Sequence, residues 1–191
     1  MPQTRASTLP EVLALLRRHG RAPSRHAPIT QRDHALQCAS LAQASGASTA
    51  VVSACLLHDV GQLLDAEEQP CLQLAGDETL DRYEVIGAAW LADLMPPAVV
   101  QAVRWHAQAK RYLAASLPEW RLALDATARQ DLERRGGPMS RSECAAFERR
   151  PHAAEALAVA GFDVRACVPG GVAMIPMEAL AHPLEACARR A

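Results

Sequence analysis

Between Val51 and Leu64 the chain reads VVSACLLHDVGQLL, an apolar run interrupted by an adjacent histidine and aspartate, His58 and Asp59. A stretch this apolar has to be buried, and burying it carries a carboxylate into surroundings where an unpaired charge is strongly disfavoured. Any fold this chain adopts must therefore supply the pair with a partner. One solution is internal, a core histidine salt-bridged to its neighbour. The other is a divalent cation, for which imidazole and carboxylate are ordinary ligands. The dipeptide alone leaves both open.

Half of the 191 residues are hydrophobic but only 4% are aromatic. Alanine and leucine dominate and β-branched residues are sparse, which favours helix over sheet. The length suits one domain spanning residues 1–191 with a sizeable core. A formal charge of −1 gives no electrostatic case for a nucleic-acid or membrane partner. The basic residues are almost all arginine, and Lys110 is the sole lysine. Cys38, Cys55, Cys71, Cys144, Cys167 and Cys187 show no C-x-x-C spacing and read as reduced thiols, Cys38 and Cys55 acting as small hydrophobes on helical faces. No secretory leader pattern or membrane-length apolar run is present, so the expected compartment is the cytoplasm.

Capping signals divide the chain into helices. Thr8, Pro10 and Glu11 open the first, which ends near Gly20, and residues 21–29 form a loop. Thr30 with Asp33 begins a second that stops at Gly46, with His34 in its first turn, a position where a histidine is often exposed. Ser48 or Thr49 caps a third, expected to run unbroken to about Leu64 through His58 and Asp59, followed by a polar loop over 65–79. Helices are expected over Asp81–Leu94 and, after Pro96-Pro97, over Ala98 to about Ser116. The latter carries His106 and Lys110 four residues apart, hence on one face. Two short helical pieces surround Trp120, Gly136-Gly137-Pro138 turns the chain, and Ser140 with Glu143 forms a capping box for a helix ending near Arg150. A helix over 152–167 contains Asp163, residues 168–176 are irregular, and an amphipathic segment closes the chain. The reading is an all-α helical domain.

His34, His58, Asp59 and Asp163 thus lie on three helices in a His…His-Asp…Asp order that resembles the metal-ligand signature of HD-domain proteins. The stretches Asp33–Ala39, Leu57–Gly61, Ile86-Gly87-Ala88, His106 with Ala109-Lys110-Arg111-Tyr112-Leu113, Gly136–Ser140 and Ala145–Glu148 make the resemblance closer. Over nearly the whole chain they are similar to the phosphonate-degrading HD-domain oxygenases, typified by the glycine-forming 2-amino-1-hydroxyethylphosphonate dioxygenase. The resemblance implies an HD-domain helical bundle with a mixed-valence di-iron site that uses O2 to oxidise a C–H bond and split the adjacent C–P bond of a small organophosphonate. It implies metal ligation by His34, His58, Asp59, His106 and Asp163, with Asp59 bridging two irons and His106 serving the second. It implies that Lys110 helps to hold the phosphonate, for which a cation is suited. The plainer reading of Lys110 is a solvated helix residue.

The sequence departs from the family pattern at the site. Tyr83 stands where a histidine would bind the second iron, and reads as packing rather than ligand, since a phenol binds ferrous iron poorly near neutral pH. Ser24 and Ala27 replace a tyrosine and a glutamate that gate the site, with His26 close by. Gln62 replaces a histidine that contacts substrate, and Ala160 an arginine near the last aspartate. Three functions are therefore weighed: an iron oxygenase acting on an altered organophosphonate, which is the preferred reading; a mononuclear metal-dependent phosphohydrolase, for which four ligands suffice; and a degenerate, non-catalytic relative.

Overall fold

The computed structural model describes residues 6, 8–24, 28–67, 82–166 and 173–188. Those residues form helices and no strand, apart from one isolated bridge between Pro23 and Thr30. In chain order the helices are α1 (Leu9–His19), α2 (Gln31–Ala44), α3 (Thr49–Leu57), α4 (Val60–Glu67), α5 (Arg82–Leu91), α6 (Pro97–Ser116), α7 (Pro118–Leu122), α8 (Ala126–Arg134), α9 (Arg141–Glu148), α10 (Ala153–Arg165) and α11 (Met177–Cys187). None is long and apolar enough to cross a membrane.

The caps act where the sequence places them. Thr8 and Glu11 close a capping box on α1, Thr30 Oγ1 accepts from the Asp33 amide at 3.1 Å, and Ser140 with Glu143 completes a second box on α9. Each satisfies amide donors that the first helical turn leaves open. The main core lies between α1 to α6 and α11, built from residues such as Val12, Leu16, Ala39, Leu57, Leu91, Val103 and Leu184. A second cluster joins α6, α9 and α10 through Ala109, Phe147, Ala156 and Ala160. The alanines let α6 and α10 approach closely, and among the described residues this is the most extensive helix pairing. Cys38 and Cys55 are buried and free, while Cys144 and Cys187 are free and partly exposed. Cys71 and Cys167 lie outside the described residues.

The expected single helix through His58 and Asp59 is in fact two. α3 stops at Leu57 and α4 starts at Val60, with the His-Asp pair in the turn between them. His58 Nδ1–H donates to the Cys55 carbonyl at 2.8 Å, taking the acceptor that the Asp59 amide would use in a continuing helix. Two glycines then fix the path of α4. A methyl group on Gly61 would collide with the Tyr83 carbonyl, and one on Gly87 would lie 3.0 Å from Val60 Cγ1 and 3.1 Å from the Gly61 nitrogen. α4 and α5 thus cross backbone against backbone, which a straight continuation of α3 would prevent. Other boundaries shift less: α4 runs on to Glu67 into the expected loop, and α5 ends at Leu91 with a turn over Ala92–Leu94. α10 covers 153–165 rather than 152–167.

Candidate metal centre

α2, the α3–α4 turn, α6 and α10 bring all five predicted ligands together. His34, His58, His106 and Asp163 are buried, and Asp59 is partly so; His34, whose first-turn position also allowed a plainer reading as an exposed histidine, is packed between α2 and α10. His34 Nε2 lies 3.2 Å from His58 Nε2 and 3.0 Å from Asp163 Oδ1. His58 Nε2 lies 3.6 Å from Asp163 Oδ1 and 3.4 Å from Asp59 Oδ2. Ligands about 2.1 Å from a shared cation stand roughly 3.0 Å apart at right angles and roughly 3.4 Å apart at tetrahedral angles. The observed spacings of 3.0–3.6 Å are close enough to these for the donors to share a cation. His106 joins it through a cluster with His58 and Asp163 whose ligand atoms all lie within 4.8 Å of one another.

The imidazoles are oriented as metal ligands require. Nδ1 of His34 faces the Ala166 carbonyl at 3.3 Å, Nδ1 of His58 the Cys55 carbonyl at 2.8 Å, and Nδ1 of His106 the Val103 carbonyl at 2.9 Å. A carbonyl can only accept, so each Nδ1 carries the proton, and each ring turns Nε2 toward the common point. A histidine fixed by a backbone acceptor on one nitrogen and aimed by the other at carboxylates fits a metal ion.

Electrostatics give the same result. Burial works against ionising Asp163, yet Lys110 and His58 hold its carboxyl well below the usual range. Burial likewise opposes a charge on Asp59, and His58 outweighs it. For His58 burial disfavours the imidazolium, but Asp59 and Asp163 raise its pKa well above normal. Burial first, then the positive charges of His58 and Lys110, push His106 down to about 3. Asp163 and the partly buried Asp59 thus stay ionised through the positive charges of Lys110 and His58, and they present negative charge where the Nε2 atoms meet.

Lys110 is no solvated surface residue. Its Nζ lies 2.5 Å from Asp163 Oδ2, and Asp163 and Asp59 raise its pKa despite burial. Beside it opens a cavity of about 190 Å³, lined at its polar end by Lys110, Asp163, Asp131 and Arg135 and on its apolar side by residues including Trp120 and Leu132. Arg135 is gripped by Asp131 (2.9 Å) and by buried Glu84 (3.1 Å). Sequence reasoning missed Arg135, which follows α8 without any motif of its own. The Lys-Arg-Tyr-Leu and Gly-Gly-Pro-Met-Ser stretches are tied to each other: Arg111 Nε donates to the Gly137 carbonyl at 2.8 Å, and the Met139 amide donates to the Arg111 carbonyl at 3.2 Å. Gly136 and Gly137 adopt φ of 95° and 69°, which other residues rarely reach.

The altered positions take other roles. Gln62 Nε2 donates to Asp59 Oδ1 at 2.8 Å, and Gln31 Nε2 donates to Gln62 Oε1 at 3.1 Å, so Gln62 serves the carboxylate, where the family histidine was expected to touch substrate. Tyr83 sets its backbone carbonyl against Gly61, and Ala160 is buried in the α6–α10 contact. Ser24 pairs its amide with the Ile29 carbonyl at 2.8 Å. Ala27 and His26 lie outside the described residues.

No family model matches the sequence. The chain is 35% identical over 137 residues to the 1-hydroxy-2-(trimethylamino)ethylphosphonate dioxygenase (glycine-betaine-forming) of Leisingera caerulea, covering 71% of this chain and 68% of that one. It is 35% identical over 143 residues to the hydroxymethylphosphonate dioxygenase of Gimesia maris, covering 74% of this chain and 70% of that one.

Proposed function

The chain belongs to the HD-domain phosphonate dioxygenase family, and we propose that it is an iron-dependent oxygenase that cleaves the C–P bond of a small 1-hydroxyalkylphosphonate. The observation that carries the reading is the convergence of three carbonyl-anchored imidazoles with Asp59 and Asp163 beside a cavity whose polar end holds Lys110. The substrate and O2 together give a carboxylic acid and phosphate. The C–H and C–P bonds break, carbon and phosphorus each gain one oxygen, and no further reductant is needed.

Bound iron would be held by His34, His58, Asp59, His106 and Asp163, and it would supply the O2 activation that no side chain here provides. The protein's own part is placement. Lys110, one turn beyond His106, can pass from Asp163 to a phosphonate oxygen without leaving the cavity, and a compact ammonium is a good point charge for such an anion. Arg135, fixed by Asp131 and Glu84, places a second cation in the same wall. Trp120, Leu124, Leu132 and Val164 line the apolar side, keeping water from the reacting carbon and strengthening every charge interaction inside.

The test is aerobic incubation of iron-loaded protein with hydroxymethylphosphonate, 1-hydroxy-2-(trimethylamino)ethylphosphonate and related phosphonates, following phosphate release and O2 uptake together. Stoichiometric O2 uptake, abolished in His58→Ala, supports the oxygenase. Phosphate released from phosphomonoesters without O2 uptake identifies a hydrolase, and silence across both panels a non-catalytic relative.

A further inference from the structure

We propose that Gln62, held by Gln31, is a positioning residue that commits Asp59 to one metal ion, so that the centre takes a single divalent cation. The inference rests on the metal-binding reading above. Asp59 turns Oδ2 toward His58 Nε2 at 3.4 Å, while Oδ1 receives the Gln62 amide at 2.8 Å. The amide is itself fixed, since its oxygen accepts from Gln31 at 3.1 Å. A carboxylate that bridges two cations presents one oxygen to each. Here the second oxygen faces an N–H donor whose partial positive charge would point at the second cation.

The ligand set leads to the same count. Among the described residues, the two possible ligand clusters are His34, His58 and Asp59, and His58, His106 and Asp163. Both use His58, whose Nδ1 is spent on the Cys55 carbonyl. Its one remaining nitrogen can bind one ion, so the two clusters describe the surroundings of the same cation. The position expected to furnish a further histidine is Tyr83, whose backbone carbonyl is packed against Gly61.

The experiment counts metal in the full chain, purified anaerobically, loaded with Fe(II) or Co(II) and freed of excess, and reads the Co(II) absorption and the EPR of the iron form after exposure to O2. One ion per chain with no spin-coupled signal is expected. Gln62→Ala should weaken Co(II) binding about 10- to 100-fold, as loss of a residue supporting a ligand does elsewhere. It should shift the Co(II) bands, and because Gln62 also bonds Asp59 without metal it should lower the melting temperature of the metal-free protein by a few degrees while leaving it folded. Gln31→Glu, which sets an acceptor against the Gln62 oxygen, should move affinity in the same direction. Two ions per chain or a coupled pair overturns the inference and leaves the proposed function standing. No ion at all overturns both. Wild-type affinity and an unshifted spectrum in Gln62→Ala removes the positioning role.

Discussion

Replacing Lys110 with methionine keeps the unbranched stem and deletes the charge that faces Asp163. In metal-free protein the change leaves a carboxylate, 5% exposed, without the ammonium 2.5 Å from its Oδ2. Removing one partner of a buried ion pair costs about 3–5 kcal/mol, and because the lysine is itself 21% exposed the lower end, about 3 kcal/mol, applies. For a chain of this length that corresponds to a melting temperature lower by roughly 6–12 °C. A bound cation changes the outcome, because it returns positive charge to Asp163. Added metal should therefore stabilise Lys110→Met more than wild type, and the gap between the two proteins should narrow. Calorimetric melts of both proteins, with chelator and with saturating Co(II), measure the four values required. A chelated variant melting within about 2 °C of wild type would mean that water already solvates the pair. A gap that metal leaves unchanged would refute the claim that lysine and cation act on the same carboxylate.

Three further outcomes follow from the same structure. Gly61→Ala should cost about 3 kcal/mol in urea denaturation, because its methyl meets fixed backbone. Gly46→Ala, at φ 70° with open space around it, should cost only about 1–2 kcal/mol, and the reverse order would contradict the proposed α4–α5 crossing. Glu143 has its carboxyl held at about 2, down from an ordinary 4.5, by the Ser140 amide and hydroxyl and by Arg111. A depressed acid stabilises the fold above its unfolded pKa and loses that contribution as pH falls through the folded one. The stability difference between wild type and Glu143→Gln should thus be constant near neutrality and vanish between about pH 4.5 and 2, as followed by circular dichroism. His58→Ala removes the side chain common to both ligand clusters and should reduce metal content to background by elemental analysis.

Much of this was readable from residues alone, because helix starts and ligand spacings are local. Thr8, Thr30, Ser48 and Ser140 all cap where their sequence context places them. The order of His34, His58, Asp59 and Asp163 nominated a metal site, and the family resemblance added His106 to it. The break at His58 was not readable, since the run on either side is uniformly helical and what stops it is a ring nitrogen claiming a carbonyl. Gln31 and Arg135 were invisible for a related reason. Each gains its role from a contact made across the fold, Gln31 to a residue 31 positions away and Arg135 to Glu84 on α5. For His34 the sequence nominates a ligand but not its burial, which comes from Asp163 on α10, 129 positions later.

His106 and Lys110 stand one turn apart on a single twenty-residue rod whose alanines are pressed against α10. That geometry divides the site into a half that can drift and a half that cannot. A shift of α6 large enough to move Lys110, the proposed phosphonate anchor, would drag the proposed ligand His106 with it, so selection for a bulkier or differently charged substrate has no freedom on that side. It does have freedom opposite, where Trp120, Leu132 and Arg135 are set by two short helices and a glycine turn. Changes in substrate range among such chains should accumulate on that outer wall, and directed evolution of this one should begin there.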